Sequence, residues 1–317
     1  MANRLLTTSH GTNREAFSPA DWLGFIAVSL IWGASFLFIA IGLDAFHPGL
    51  LTWLRVGFGA LLMAMLPKAR ATKIPRDDLP RVVLLGVIWV AIPFTLFPIA
   101  QQWIDSAVAG MLNGATPIFT AIIASLLLRQ LPGRLQIVGL AVGFLGILAI
   151  ALPSAGSGNT AALGVILVVL ATLCYGFSTN IVAPLQQRYG TIPVMGRALM
   201  VATLLVTPYG LFGLTRSEFA WPSLAATLAV GFLGTGVAFL LMGSLVGSVG
   251  PTRSSFITYL IPVVALVLGV VFRDEIISPI AVVGSLLVIA GAVLASRRET
   301  TAPTRLVTPA DIGDDAA

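Results

Sequence analysis

The chain has 317 residues, of which 57% are hydrophobic and only 10% charged, with a formal net charge of +5 and a mean hydropathy of +0.98. A soluble globular chain carries about a quarter charged residues, so this one cannot cover a water-facing surface, and its solvent is lipid. One cysteine, Cys174, excludes an intrachain disulfide, and with only His10 and His47 beside it no Cys/His metal set is expected; no cofactor is expected either. The first twenty residues hold Arg4, Arg14 and Glu15 without an apolar stretch, which reads as a polar tail and not as a cleavable signal peptide.

A bilayer core of about 30 Å needs roughly 20 apolar residues of helix. Such runs predict spans at 21–43, 49–67, 80–101, 106–128, 134–152, 161–184, 193–214, 222–246, 252–272 and 277–296, between disordered tails at 1–20 and 297–317. The first span reads "SLIWGASFLFIAIG" and interrupts itself with Trp32, Gly33 and Ser35. The second contains Arg55, roughly two turns in from one end, and the third Trp89. The fourth contains Asn113 and Pro117, and the fifth the pair Gly139 and Gly143. The sixth, "LCYGFSTNIVAP", repeats the opening signature as Tyr175, Gly176 and Ser178. The ninth contains Thr258, Tyr259 and Pro262.

With the N-terminus placed in the cytoplasm, fifteen of the eighteen Lys and Arg fall in inner segments, two (Arg216 and Arg273) in outer loops, and Arg55 within a span. Basic residues accumulate on the cytoplasmic side, so the pI near 10.0 is a topology signal and not a nucleic-acid footprint. Ten spans with both termini inside satisfy this partition; one span fewer scrambles it.

An offset of 145 residues carries Gly86 onto Gly231, Phe94 onto Phe239, Pro117 onto Pro262, Gly139 onto Gly284 and Gly146 onto Gly291. Near the start of each half the offset is slightly smaller, bringing Gly33 to Gly176, Ser35 to Ser178 and Arg55 to Arg197. Five spans per half is an odd number, so the second half enters the membrane the other way up. The expected fold is therefore all-α, an integral membrane protein of ten helices in two inverted five-helix repeats, 21–152 and 161–296. Inverted repeats are a recurrent transporter architecture, with the site near the midplane between them.

These residues also carry a family resemblance. "IWGASF" resembles the opening helix of the EamA branch of the drug/metabolite transporter superfamily. The segments "ATPIFTAIIASLLLRQLPGRLQIVGLAVGFLGILAI" and "LIPVVALVLGVVFRDEIISPIAVVGSLLVIAGAVL" resemble the two copies of its repeated closing unit. The family commonly places a glycine and a glutamate after the penultimate helix of each repeat. Glu275 fits that glutamate, preceded by Asp274 in place of glycine; the first half has Arg129 and Gln130. Within the family the chain is most similar to YddG-type amino-acid exporters. The resemblance implies ten helices in a bacterial inner membrane and export of small metabolites.

The predicted spans contain neither Lys nor His, and Asp and Glu fall only in tails, loops or span ends. Intramembrane carboxylates are the usual proton relays, so facilitated movement is the simplest mechanism, with proton antiport an open alternative. Away from the span ends no His, Lys or carboxylate lies close in sequence to a membrane-embedded serine or threonine to activate it, which leaves a membrane enzyme, like a channel, a minor alternative. One embedded arginine is too few for substrates with two or more negative charges, and no embedded acid awaits a lipophilic cation. A neutral or zwitterionic amino acid with a bulky apolar or aromatic side chain is the expected partner, beside the lipid bilayer. Monomer and homodimer both stay open.

The expected binding residues are Trp32, Ser35, Trp89, Asn113, Tyr175, Ser178, Thr258 and Tyr259. Pro117 and Pro262 act as helix breaks that strip the carbonyls of Asn113 and Thr258 of their helix partners. Packing between helices would satisfy the same groups as a pocket would. Arg55 is open between a structural and a ligand-binding role.

Overall fold

The computed structural model describes residues 18–129, 131–155, 159–249 and 254–296. The expectations for Gln130, for the first residues of the ninth span and for residues 1–17 and 297–317 of the two tails lie outside the described residues. Nine helices among those described are long and apolar enough to cross a bilayer: α1 (Pro19–Leu43), α2 (Pro48–Met65), α3 (Leu79–Ala100), α4 (Ser106–Leu127), α5 (Arg134–Pro153), α6 (Asn159–Tyr189), α7 (Thr191–Leu214), α8 (Trp221–Val249) and α10 (Pro279–Ser296). Between the last two lies α9 (Ile257–Arg273), equally apolar but 17 residues long. The all-helical architecture follows from the solvent, because lipid offers backbone N–H and C=O groups no partner outside the helix.

The helices begin where local chemistry allows. Ser18 caps α1 reciprocally with Asp21, each side chain serving the other's backbone N–H. His47 caps α2, its Nδ1 accepting from the Gly49 N–H at 3.1 Å. Helix α6 continues beyond the expected 184 to Tyr189. Its last residues, "LQQRY", are too polar for a hydropathy criterion but remain helical, because Arg188 and Tyr189 reach Asp78 beside the start of α3.

Two spans depart from regular α-helix. Residues Gly86–Ala91 of α3 and Val230–Val237 of α8 are π-helical, and the offset of 145 carries the first onto residues 231–236 of the second. Helix α4 is interrupted at Gly114 and Ala115 and resumes at Thr116. Pro117 therefore occupies the first turn of a new helical segment, where its missing N–H costs nothing, whereas Pro262 lies inside continuous α9.

Close helix contacts run through glycines. Gly139 on α5 faces Gly291 and Ala295 on α10, while Gly146 faces Gly284 and Val288. The two helices are thus antiparallel, and the Gly139–Gly143 pair serves packing inside the chain. Gly33 lies against Val264 of α9, and Gly176 against Phe119 of α4; the same offset of 145 carries Phe119 onto Val264. The shared Gly signature of α1 and α6 is explained by these matched contacts, each admitting a neighbouring helix where a Cβ would collide.

Polar bridges tie the ends of the bundle. At one end Asp78, only 5% exposed, accepts from Arg81, from Arg188 at 3.0 Å and from the Tyr189 hydroxyl at 2.6 Å. The Tyr189 hydroxyl, with the Arg81 and Arg188 guanidinium groups, holds its carboxyl below the usual carboxylate range against the opposing effect of burial. At the other end Arg273 forks onto Asp44 at 2.7 and 2.9 Å. There Glu275 also accepts from the Ser106 N–H at 2.9 Å, the Ser106 hydroxyl at 2.6 Å and the Ala107 N–H at 2.9 Å, closing the start of α4.

Candidate functional site

Between these ends the two π-helical segments face a cluster of rings. Phe239, just after the π segment of α8, meets Trp32 edge-on at 5.7 Å and Trp89 edge-on at 5.5 Å. Phe97 of α3 stacks on Tyr175 at 5.9 Å and meets Phe36 at 5.4 Å. Phe94 lies beneath the guanidinium of Arg55, whose carbon is 3.8 Å from the ring centroid. Rings from α1, α3, α6 and α8 thus form one cluster, and the ring of Phe94 within it carries the cationic group from α2.

The π segment of α8 has a local reason to receive these side chains. Its widened turn lets the Thr235 hydroxyl donate five residues back to the Val230 carbonyl at 3.1 Å. The Thr235 oxygen is then free to accept from Arg55 Nε at 3.2 Å. The neighbouring Gly234 carbonyl accepts the Trp32 indole N–H at 3.0 Å. Gly231 brings α8 within reach of the Arg55 backbone, where a Cβ would lie 3.1 Å from its carbonyl oxygen. Arg55 and the Tyr175 hydroxyl are near enough to interact electrostatically.

Of the expected residues, Trp32, Trp89 and Tyr175 come together in this ring cluster. Ser35 and Ser178 are buried beside it but donate to their own helices, to the Ile31 carbonyl at 2.8 Å and the Cys174 carbonyl at 2.7 Å. The Asn113 carbonyl, expected to lose its helix partner, accepts the Thr116 hydroxyl at 2.8 Å across the interruption of α4, while the Asn113 side-chain oxygen is buried without a hydrogen bond. Thr258 donates to the Ser255 carbonyl at 2.7 Å. Tyr259 is turned towards the end of α10, its hydroxyl 3.2 Å from both the Ala292 carbonyl and the Ser296 hydroxyl.

Sequence reasoning did not place Phe94, Phe97, Thr235 or Phe239 in the site. The signal was the 145-residue match of Phe94 with Phe239, which mirrored the matched glycines but fell in two phenylalanine-rich helices. Two cavities lie towards the ends of the bundle. One of about 390 Å³ is bordered by Asp44, His47, Gln102, Arg216 and Glu218; one of about 220 Å³ lies between Ala64, Ala69, Gly196 and Arg197. Among the described residues no group of three or more His, Cys, Asp or Glu could hold a metal ion.

Comparison with known proteins gives this geometry a family. A "Probable terminal-alkyne amino-acid exporter" of Streptantibioticus cattleyicolor is 28% identical, over 89% of this chain and 94% of its own. The "Uncharacterized inner membrane transporter YedA" of Escherichia coli is 28% identical over 80% of this chain and 83% of its own. A "Probable amino-acid metabolite efflux pump" of Salmonella typhimurium is 24% identical over 84% and 92%. A solved crystal structure shares the fold at a TM-score of 0.58 and 19% identity, covering 88% of this chain and 97% of its own. The protein is a multi-pass inner-membrane protein. The model of the EamA-like transporter family matches twice, over residues 20–152 and 162–297, and the chain belongs to that family.

Proposed function

We propose that this transporter exports small neutral or zwitterionic metabolites from the cytoplasm, foremost amino acids with bulky apolar or aromatic side chains, by alternating access between two inverted five-helix halves with both termini inside. The observation that carries the reading is the ring cluster: Trp32, Trp89 and Tyr175, with Phe94 and Phe239, come from both halves and converge on one place, which on this reading is the wall of a central chamber. Rings of this kind offer a side chain a large apolar contact at small entropic cost. Inversion is supported by the antiparallel glycine contacts of α5 and α10, and the orientation by the distribution of Lys and Arg.

Movement is supported by the way the ends are held. Asp44–Arg273 and Asp78–Arg188 each join the first half to the second, at opposite ends of the bundle. Release of one bridge with retention of the other opens the chamber to one side at a time, and the exposed bridge at Asp44 costs little to break. The amino-acid assignment rests on the lack of acidic groups in the chamber and on the printed names of two relatives.

The test is flux from proteoliposomes loaded with a panel of amino acids, nucleotide sugars and cationic dyes, with and without a pH gradient. Efflux of apolar amino acids at zero pH gradient is expected. Movement of nucleotide sugars or dyes alone would remove the reading, and flux that requires the gradient would replace facilitated movement by proton antiport.

A further inference from the structure

Arg55 is 6% exposed, in the middle of a membrane-spanning helix. A charge at that depth is expensive and is normally paired with an acid or bound to backbone carbonyls. Neither arrangement holds here. The three described ion pairs belong to Arg81, Arg188 and Arg273. The single described hydrogen bond of Arg55 leaves from Nε to Thr235. Its two terminal nitrogens, four N–H donors on the planar fork, have no protein acceptor among the described residues. The Phe94 ring stabilises the positive charge from one face but satisfies none of those donors in the plane.

Two further donors share this condition. The Tyr175 hydroxyl and the Trp89 indole N–H make no described hydrogen bond, and both side chains are only partly buried. The ring cluster therefore holds a fork of donors with no acid among the described residues to meet it. An acceptor from outside the protein completes it.

We propose that Arg55 is the carboxylate-binding residue of this transporter, and that the chamber selects monocarboxylates with an apolar side chain whether or not they carry an amino group. The inference rests on the proposed central chamber but goes beyond it in naming the group recognised. A guanidinium matches a carboxylate in two parallel hydrogen bonds. With one such cation and no second one near, a single negative charge is neutralised, and a dianion is left with an unpaired charge. The amino group meets only ring faces and carbonyls. It contributes less than the carboxylate, and its absence is tolerated.

The experiment uses wild-type protein in nanodiscs and follows intrinsic tryptophan fluorescence, since Trp32 and Trp89 border the chamber. Three matched triads are titrated, built on a phenylethyl, an isobutyl and a propyl skeleton, each as the amino acid, the desamino acid and the decarboxylated amine. The amino acid and desamino acid of at least one triad should bind saturably, with the amine weaker by tenfold or more. Arg55→Gln should weaken acid binding on the order of tenfold to a hundredfold with thermal stability retained, and Arg55→Lys should restore part of it.

Equal binding of amine and acid, no saturable binding of any carboxylate, or undiminished binding by folded Arg55→Gln overturns the inference. The triads on wild-type protein decide the matter even where the variant does not fold. Export is judged separately: acid binding without flux in proteoliposomes removes the export reading and leaves Arg55 standing, whereas flux of amino acids with equal binding of the amines removes Arg55 alone.

Discussion

The two halves place an arginine at matching positions of their second helices, Arg55 on α2 and Arg197 on α7, and surround them in opposite ways. Arg197 donates from one terminal nitrogen to the Ala69 carbonyl at 3.3 Å and the Pro193 carbonyl at 3.0 Å, and from the other to the Thr72 carbonyl at 2.8 Å. It staples the short helix Pro67–Ala71 and the turn after it to the side of α7. Arg55 has a ring, one hydroxyl and unspent donors. The two positions share the residue type but not the partners: carbonyls of the chain fill the fork of Arg197, whereas the terminal nitrogens of Arg55 are, on the reading proposed above, left for a ligand.

The largest expected effect breaks this comparison on its structural side. Hydrogen bonds from a charged group contribute roughly 1.5–3 kcal/mol each at most, and Arg197→Ala removes several at once. Stability should fall by about 3 kcal/mol, visible as a loss of monodisperse protein on size exclusion, with flux per folded molecule unchanged. A variant made in full yield but inactive would show that Arg197, too, acts on substrate.

A smaller effect sharpens the other side. Thr235 touches Arg55 Nε while its own proton is committed to Val230. Thr235→Val removes the acceptor and leaves the fork free to swing on its stem. Flux should drop about tenfold, the equivalent of one charge-assisted hydrogen bond, through a raised KM at ordinary yield. Thr235→Ser keeps the hydroxyl and should recover most of the flux; equal loss in both variants would mean that packing, not the hydrogen bond, positions Arg55.

Much of the frame was legible in the sequence because lipid makes one demand over and over. Apolar runs of about 20 residues could only be spans, and the offset of 145 residues found pairs whose equivalence shows in their contacts, such as Gly139 with Gly284. The ring cluster was half legible. Trp32, Trp89 and Tyr175 stood out as aromatic groups with polar handles at mid-depth, where such handles need partners. Tyr259 stood out by the same rule, yet it faces Ser296, because a helix periodicity of 3.6 does not say which neighbour a residue meets. The π-helical turns were not legible at all. A π turn adds one residue without changing composition, and it is the turn in α8 that presents Thr235 to Arg55 and Gly234 to Trp32.

The same two helices also begin differently, which gives a pH test. Helix α7 is entered through Gly190, at φ 83 and without a side-chain cap, whereas α2 is capped by the neutral Nδ1 of His47. Burial first, and the Arg216 charge second, push the imidazole below its usual range. The folded state thus binds its proton less readily than the unfolded chain. The contribution is fully present above the ordinary histidine value of about 6.5 and is lost as pH falls from there through the lower folded value. Lowering the pH from 7.5 to 5.5 should cost up to about 1 kcal/mol through the cap, a few degrees in melting temperature at most. His47→Asn keeps a capping oxygen and should flatten this part of the profile; an unchanged profile would place the titration elsewhere.

The smallest effect concerns the residues that follow the penultimate helix of each half. Arg129 and Asp274 are equivalent by the same offset, and both adopt φ 52, the left-handed conformation. The family resemblance expects glycine there, and the geometry supplies the reason: a Cβ at this φ crowds the following carbonyl, at about 1 kcal/mol or somewhat more. Asp tolerates the conformation better than Arg, because a short polar side chain can bond locally. Glycine relieves the crowding but also loosens the unfolded chain, which offsets about half the gain. Arg129→Gly should therefore stabilise the protein by about 0.5 kcal/mol, Asp274→Gly by less, and Arg129→Ala not at all. Melting curves in one detergent rank the three. A gain from Arg129→Ala equal to that from Arg129→Gly would show that the arginine side chain, and not the backbone conformation, is what the first half has to accommodate.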